Sequence, residues 1–385
     1  MASQTEMKVM QFPSKYVQGK NAVSLLPQYV KEMGGKSLVV ATKSQIKRMT
    51  SLMGALSRVE VFGGECTREE IERVTCLAEQ MEASVIVAVG GGKVIDTVKI
   101  SADKLGIPSI IVPTICATDA PCSGCAVIYN KNGEYVSEEC QKTNPRLVVV
   151  DSEIIAAAPS RFLVSGMGDA FATYLEALAC SATESPNQCN GGGLRTQSAM
   201  ALCKLCTETL FKYGVEAKMD NDRGEASEAL ENIIEANTLL SGLGFESTGL
   251  AMCHAVANAF TLIPASNSKY HGEKVAYGCL VELELYDPLN IKDKTYRFFK
   301  QLGLPVTLEE MNLPDPTPEQ IMVLANDVVT NEASKFAHYE PYSFNAAKIA
   351  EAILAVDRQG RKLFHCDFSL KGLATSLKTM QKNSK

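Results

Sequence analysis

Val85-Ile86-Val87-Ala88-Val89-Gly90-Gly91-Gly92-Lys93 is the stretch on which the fold turns. An unbroken apolar run rich in β-branched residues reads as a strand buried on both faces, and the glycines that follow swing the chain sharply into a helix. A turn of this kind lets backbone N–H groups approach a phosphate with the positive end of the helix dipole behind them. A tight strand-to-helix turn without a ligand would use the same glycines. The spacing is not G-x-G-x-x-G, so the common dinucleotide fingerprint is absent.

Working outward, similar apolar runs recur at Ser37-Leu38-Val39-Val40-Ala41, Val59-Glu60-Val61-Phe62, Ser109-Ile110-Ile111-Val112 and Leu147-Val148-Val149-Val150. Amphipathic stretches separate them. Thr67 and Glu70 have capping-box spacing ahead of Ile71, Val74, Ala78 and Met81, and the helix opened by Lys93 is expected to stop at Gly106, with Pro108 just beyond. Alternating β and α elements predict a mainly parallel sheet covered by helices. After Pro159, Ala, Leu, Glu and Met recur at helical spacing, predicting helices over 162–180, 198–213, 225–240, 248–262, 271–284 and 345–358. The expected organisation is an α/β domain over residues 1–160 followed by an all-α domain over 161–385. Gly191-Gly192-Gly193 reads as loop, because neither a strand before it nor a helix opening after it supports phosphate binding.

A chain of 385 residues with 46% hydrophobic and 21% charged residues can bury sizeable cores, which excludes general disorder. Its net charge of −6 and scattered basic residues argue against nucleic acid or an anionic membrane as partner. With no apolar signal core at Met1–Met7 and no spanning run, the expected location is the cytoplasm. Thirteen cysteines in such a chain read as reduced thiols rather than a disulfide scaffold. Cys203 and Cys206 fall on the apolar side of a predicted helix. Cys122 and Cys125 share Cys-x-x-Cys spacing but lack the second pair of a zinc knuckle.

The strand at 109–112 leads into Pro113-Thr114-Ile115-Cys116-Ala117-Thr118-Asp119-Ala120-Pro121-Cys122-Ser123, a polar loop at the carboxyl edge of the same sheet, where ligands bind. This loop, Gly90-Gly91-Gly92-Lys93-x-x-Asp96-Thr97, Ser165-Gly166-Met167-Gly168-Asp169, Gly242-x-Gly244-Phe245-Glu246 and Tyr270–Gly278 follow one another in a telling order. Through them the chain resembles the glycerol dehydrogenase branch of the iron-containing alcohol dehydrogenase superfamily over nearly its whole length. The resemblance implies a dehydroquinate synthase-like fold and an NAD(P)-binding site. By it, Gly91, Gly92, Lys93 and Asp96 line the pyrophosphate, and Thr114 and Ala117 flank the adenosine and phosphates. Ser123, Cys125 and Tyr129 contact the nicotinamide side, and Asp119 meets the substrate hydroxyls. Read by itself, Asp119 has a second, less favoured reading as an aspartate capping the turn around Pro121. NAD-preferring members carry an acid after the early strand, where this chain has Thr42 followed by Lys43; a lysine attracts a 2′-phosphate, so NADP is a second candidate cofactor.

Taken singly, His254 and His271 read as satisfied core histidines, and Asp169 as a buried carboxylate needing a partner. The resemblance makes these three metal ligands. Iron-binding branches add a histidine where this chain has Thr173, and some relatives carry one where it has Asn258. Three protein ligands of carboxylate and imidazole type suit Zn²⁺ with an open coordination position, in preference to Fe²⁺. His338 and His365 lie outside these motifs and read as surface or packing residues.

The function expected is oxidation of glycerol or a similar vicinal diol to dihydroxyacetone or its counterpart, by hydride transfer in the interdomain cleft, with Asp119, Asp169, His254 and His271 as the catalytic set. The alternative is an NADP-dependent 2-hydroxycarboxylate oxidoreductase of the same fold, against which stand Asp119 and the lack of an arginine in these motifs. Lyase chemistry of the dehydroquinate synthase type and a non-catalytic nucleotide-binding regulator rank lower. The resemblance also implies a homo-oligomer, an octamer being one such assembly.

Overall fold

The computed structural model describes residues 4–363. Eight strands occur in it: β1 (Tyr16–Gly19), β2 (Ser37–Ala41), β3 (Arg58–Val61), β4 (Val85–Gly90), β5 (Ser109–Pro113), β6 (Cys125–Tyr129), β7 (Tyr135–Cys140) and β8 (Leu147–Asp151). Six of them form a wholly parallel sheet in the order β1-β8-β5-β4-β2-β3, while β6 and β7 make an antiparallel pair. β2, β4, β5 and β8 are buried at every residue, as their unbroken apolar sequences predict. One face packs Val39, Val87, Ile110 and Val149 against Leu26, Tyr29 and Val30.

Strand order locates the ligand edge. The chain leaves β2 toward β3 on one side and leaves β4 toward β5 on the other. The carboxyl ends of β2 and β4 therefore flank a topological switch point, the place where open α/β sheets bind ligands. Ala41 is in register with Val89, and Gly90 with Pro113, so Thr42, Gly91 and Thr114 follow three adjacent strand ends.

Beyond Asp151 the described residues contain helices and loops but no further strand. The principal helices are Ser160–Ala182, Gln197–Asp222, Glu228–Glu235, Ser241–Thr248, Met252–Ala259, His271–Leu285, Lys292–Leu302 and Pro318–Thr330, followed by one over 346–363. The chain forms two compact units: one runs to Ala251 and takes in Tyr339–Pro341, the other comprises Met252–His338 and resumes at Tyr342. No helix among the described residues is long and apolar enough to cross a membrane.

Several local expectations change. The helix predicted over 248–262 is broken: Gly249, at φ +118°, ends the Ser241–Thr248 helix and a new one starts at Met252. Residues 236–240, expected to continue an α-helix, make a π-helical turn instead. Thr67 does cap its helix by accepting from Glu70 N–H at 3.1 Å, but the Glu70 carboxylate turns to Gly63 N–H and Arg73, so the reciprocal half of the capping box is missing. Cys203 and Cys206 are fully buried, as expected of core thiols. Gly191–Gly193 lie in a loop, all with positive φ. His338 is exposed and stacks on Phe344, and His365 lies outside the described residues.

Candidate active site

Gly91 is the N-cap of the Gly92–Leu105 helix, so the first-turn amides of that helix open at the switch point without i−4 carbonyls of their own. A Cβ added to Gly92 would meet only Thr118 Oγ1, at 3.8 Å, which leaves the turn room for a phosphate. Lys93 stands at this opening, ion-paired with Glu65 at 2.5 Å and with its ammonium 5.7 Å from the centre of the Tyr129 ring. Thr42 caps the end of β2 with its hydroxyl 3.1 Å from Ser44 Oγ, and Lys43 beside it is exposed. Thr114 is buried and donates its N–H to Gly90 O.

Asp96, placed at the pyrophosphate by resemblance, turns its carboxylate inward instead. One oxygen accepts from Val127 N–H at 3.1 Å and the other lies 3.1 Å from Lys99 Nζ. Burial pushes this carboxyl up, opposed first by the Lys99 charge. Lys99 is itself buried and donates to the main-chain oxygens of Ala120, Ser123 and Cys125. An acid and a base on one helix thus cage the loop that carries Asp119, Ser123 and Cys125. Glu246 grips the same loop from the other side, accepting from Gly124 N–H at 2.9 Å and from Asn144 Nδ2 at 2.6 Å. Asn144 also donates to Cys122 O. Desolvation pushes the Glu246 carboxyl up to about 7 despite those donors. Lys99, Asn144 and the role of Glu246 were missed in the sequence; the only local signal is the Asp96/Lys99 spacing of three on a helix face.

Asp119 is half-buried, and its Oδ2 accepts from Ser241 Oγ at 2.7 Å. Ser241 Oγ in turn lies 2.9 Å from Thr173 Oγ1, on the helix that carries Asp169. Ala117 O receives the Ser165 hydroxyl at 3.5 Å. Gly166 lies in the second turn of that helix where it passes the loop: a Cβ there would stand 2.2 Å from Cys116 O and 2.5 Å from Asn237 Nδ2. Only glycine allows the helix backbone so close to the loop.

Asp169 is buried, His254 half-buried and His271 exposed, and each offers a ligand atom such that all three lie within 4.8 Å of one another. His254 is on the Met252–Ala259 helix and His271 opens the His271–Leu285 helix, their ring centres 5.5 Å apart. A Cβ on Gly278 would fall 2.1 Å from Cys253 O, so glycine there permits the crossing that brings the two imidazoles together. A buried carboxylate and two imidazoles at this spacing fit a divalent cation.

The iron-containing alcohol dehydrogenase family model matches residues 13–152. A glycerol dehydrogenase from Thermotoga maritima is 43% identical over 91% of this chain and 97% of its own length. The chain belongs to the iron-containing alcohol dehydrogenase family. A glycerol dehydrogenase from Escherichia coli O6:H1 is 38% identical over 92% of the chain and 98% of its own length. The crystal structure of a probable glycerol dehydrogenase from Sinorhizobium meliloti 1021 superposes with a TM-score of 0.85 at 38% identity, covering 92% of this chain and 99% of that one. Family membership agrees with the expected α/β sheet followed by helices, and implies a nicotinamide nucleotide and a metal.

Proposed function

We propose that the protein is a metal-dependent polyol dehydrogenase that oxidises glycerol or a related vicinal diol with NAD(P). The observation that carries this reading is the clustering of Asp169, His254 and His271, supported by likeness to glycerol dehydrogenases along nearly the whole chain. When bound, a divalent ion would supply Lewis acidity toward a substrate hydroxyl and a nicotinamide would supply the hydride acceptor.

The chain's own residues divide the remaining tasks. The Gly91–Gly92 turn and its helix receive the pyrophosphate, while Thr114 and Ala117 border it. Lys93 can exchange Glu65 for a phosphate oxygen. Ser123, Cys125 and Tyr129 form the nicotinamide side. Asp119, oriented by Ser241, accepts hydrogen bonds from the diol and discriminates against an analogue without those hydroxyls. A 2-hydroxy acid would bring its carboxylate against the Asp119 charge, which disfavours the alternative substrate.

Zinc is our choice of metal, since a carboxylate and two imidazoles, Asp169, His254 and His271, would hold it by a donor set of the catalytic-zinc type. Thr42 and Lys43 at the end of β2 put no acid against a 2′-phosphate, so we assign NADP as well as NAD to this site. The protein is assigned to the cytoplasm and to a homo-oligomer on the same reading.

The test is a metal-reconstituted assay crossing glycerol, 1,2-propanediol and 2-hydroxybutyrate with NAD and NADP. A preference for the diols of at least about tenfold in kcat/KM, or about 1.4 kcal/mol, is expected; a comparable preference for 2-hydroxybutyrate would sink the proposal.

A further inference from the structure

Cys125 and Cys140 are register partners across β6 and β7, with their sulfurs 3.8 Å apart. The adjacent pair is joined by Gln141 N–H donating to Gly124 O at 2.6 Å, while Cys125 O turns away to Lys99. Cys125 and Cys140 therefore occupy a non-hydrogen-bonded site of the ladder, where opposed Cα atoms approach to about 4.5 Å. That lies within the span of roughly 4.4–6.8 Å that a disulfide requires. Both sulfurs also reach Gln188 O, at 3.5 Å, which aligns them under one loop.

Access and pairing together distinguish these two. Among the described cysteines Cys140 is exposed, Cys125 and Cys76 are half-buried and the rest are buried, and the Cys76 sulfur faces Glu72, at 3.4 Å, rather than a second thiol. The hydrogen bond from Cys125 holds the Cys140 thiol below its ordinary range despite partial burial, making it the more readily ionised partner.

We propose that Cys125 and Cys140 are a modification site, closing into a reversible cross-strand disulfide when the protein meets hydrogen peroxide. The Cys140 thiolate attacks one peroxide oxygen, the O–O bond breaks, and the departing hydroxide takes up the proton the thiol released and leaves as water, with a sulfenic acid on Cys140. Cys125 sulfur then attacks the sulfenic sulfur; the S–S bond forms, the S–O bond breaks and a second water departs with the remaining thiol proton. Two thiols lose two electrons and one peroxide is reduced. A dithiol restores the starting state by exchange. The consequence for activity rests on the assignment of Cys125 to the nicotinamide side: drawing its sulfur from 3.8 Å to bonding distance removes it from that site.

Full-length protein is treated with hydrogen peroxide, blocked with iodoacetamide and digested without reduction, and the peptides are fragmented to separate Cys125 from Cys122. Expected are a Cys125–Cys140 linked peptide, loss of two alkylatable thiols, and loss of turnover that dithiothreitol reverses. Cys140→Ser, with Cys140→Ala as a second variant, forms no link and keeps its turnover in peroxide. Sulfinic acid on Cys140 with Cys125 still alkylated, or a Cys140–Cys189 link, overturns the proposal. A linked peptide with undiminished turnover upholds the disulfide and overturns only the nicotinamide-side role of Cys125.

Discussion

Asp119 shows how much of a site depends on a second hydroxyl. Its Oδ2 is held by Ser241, which is itself within hydrogen-bond distance of Thr173. Thr173 stands where iron-binding relatives were expected to carry a ligand, and in this chain it props a carboxylate through a serine instead. On the proposed role of Asp119, Asp119→Asn should lower kcat/KM for glycerol by at least about a hundredfold, because the charge is lost and one of two accepting oxygens becomes an N–H donor facing the diol. Ser241→Ala should lower it by about tenfold, the worth of one orienting hydrogen bond to a charged group. In both variants nucleotide affinity, measured by fluorescence titration, should stay at the wild-type value; a parallel loss of affinity would move Asp119 to the cofactor.

Among elements, the decisive contacts are close approaches of main chain and clamps on one loop. With its missing Cβ replaced, Gly166→Ala would force a methyl to 2.2 Å from Cys116 O, so we expect destabilisation of about 3 kcal/mol or more in urea unfolding. Glu246 gives the loop clamp a pH signature. Its carboxyl is raised from an ordinary 4.5 to about 7, so between those values the folded protein holds a proton that the unfolded chain has released. Stability contributed by this group is full below pH 4.5 and falls as pH rises through 7, by up to about 3 kcal/mol. Glu246→Gln should flatten that part of the stability curve, and an unchanged slope would assign it to other groups. These clamps explain what the sequence could and could not tell. Strands buried on both faces stand out as apolar runs, and the motif glycines mark the close approaches. The β6–β7 hairpin was overlooked because its alternation is weak and its residues read as cofactor loop, although Asn132-Gly133 at its turn was a usable sign. Lys99 resembles any helix lysine, and the partners of Glu246 are 102 and 122 residues away. No local pattern links them.

For the whole molecule, the order of strands decides where ligands go, and that order follows from which apolar run pairs with which. The sheet was legible in the sequence, but β1 at its edge was not, since Tyr16–Gly19 is short and only half-buried. Because a metal held by Asp169, His254 and His271 binds the folded state alone, it should stabilise the entire chain. Adding Zn²⁺ to chelator-treated protein at about 100 times its Kd should raise unfolding free energy by about 2.7 kcal/mol. Asp169→Ala should abolish the rise in thermal midpoint; persistence of the full shift would place the ion elsewhere. The Gly92–Leu105 helix, finally, acts as a ruler. Its first turn lies at the opening we assign to the phosphates, and Lys99, seven residues on, pins the loop we assign to the nicotinamide side. That is roughly 10 Å of rigid rod. One inserted residue would rotate Lys99 by about 100° and swing it out of its carbonyl cage. Engineers seeking room for a bulkier cofactor should therefore alter the tip of β2 and leave the length of this rod untouched.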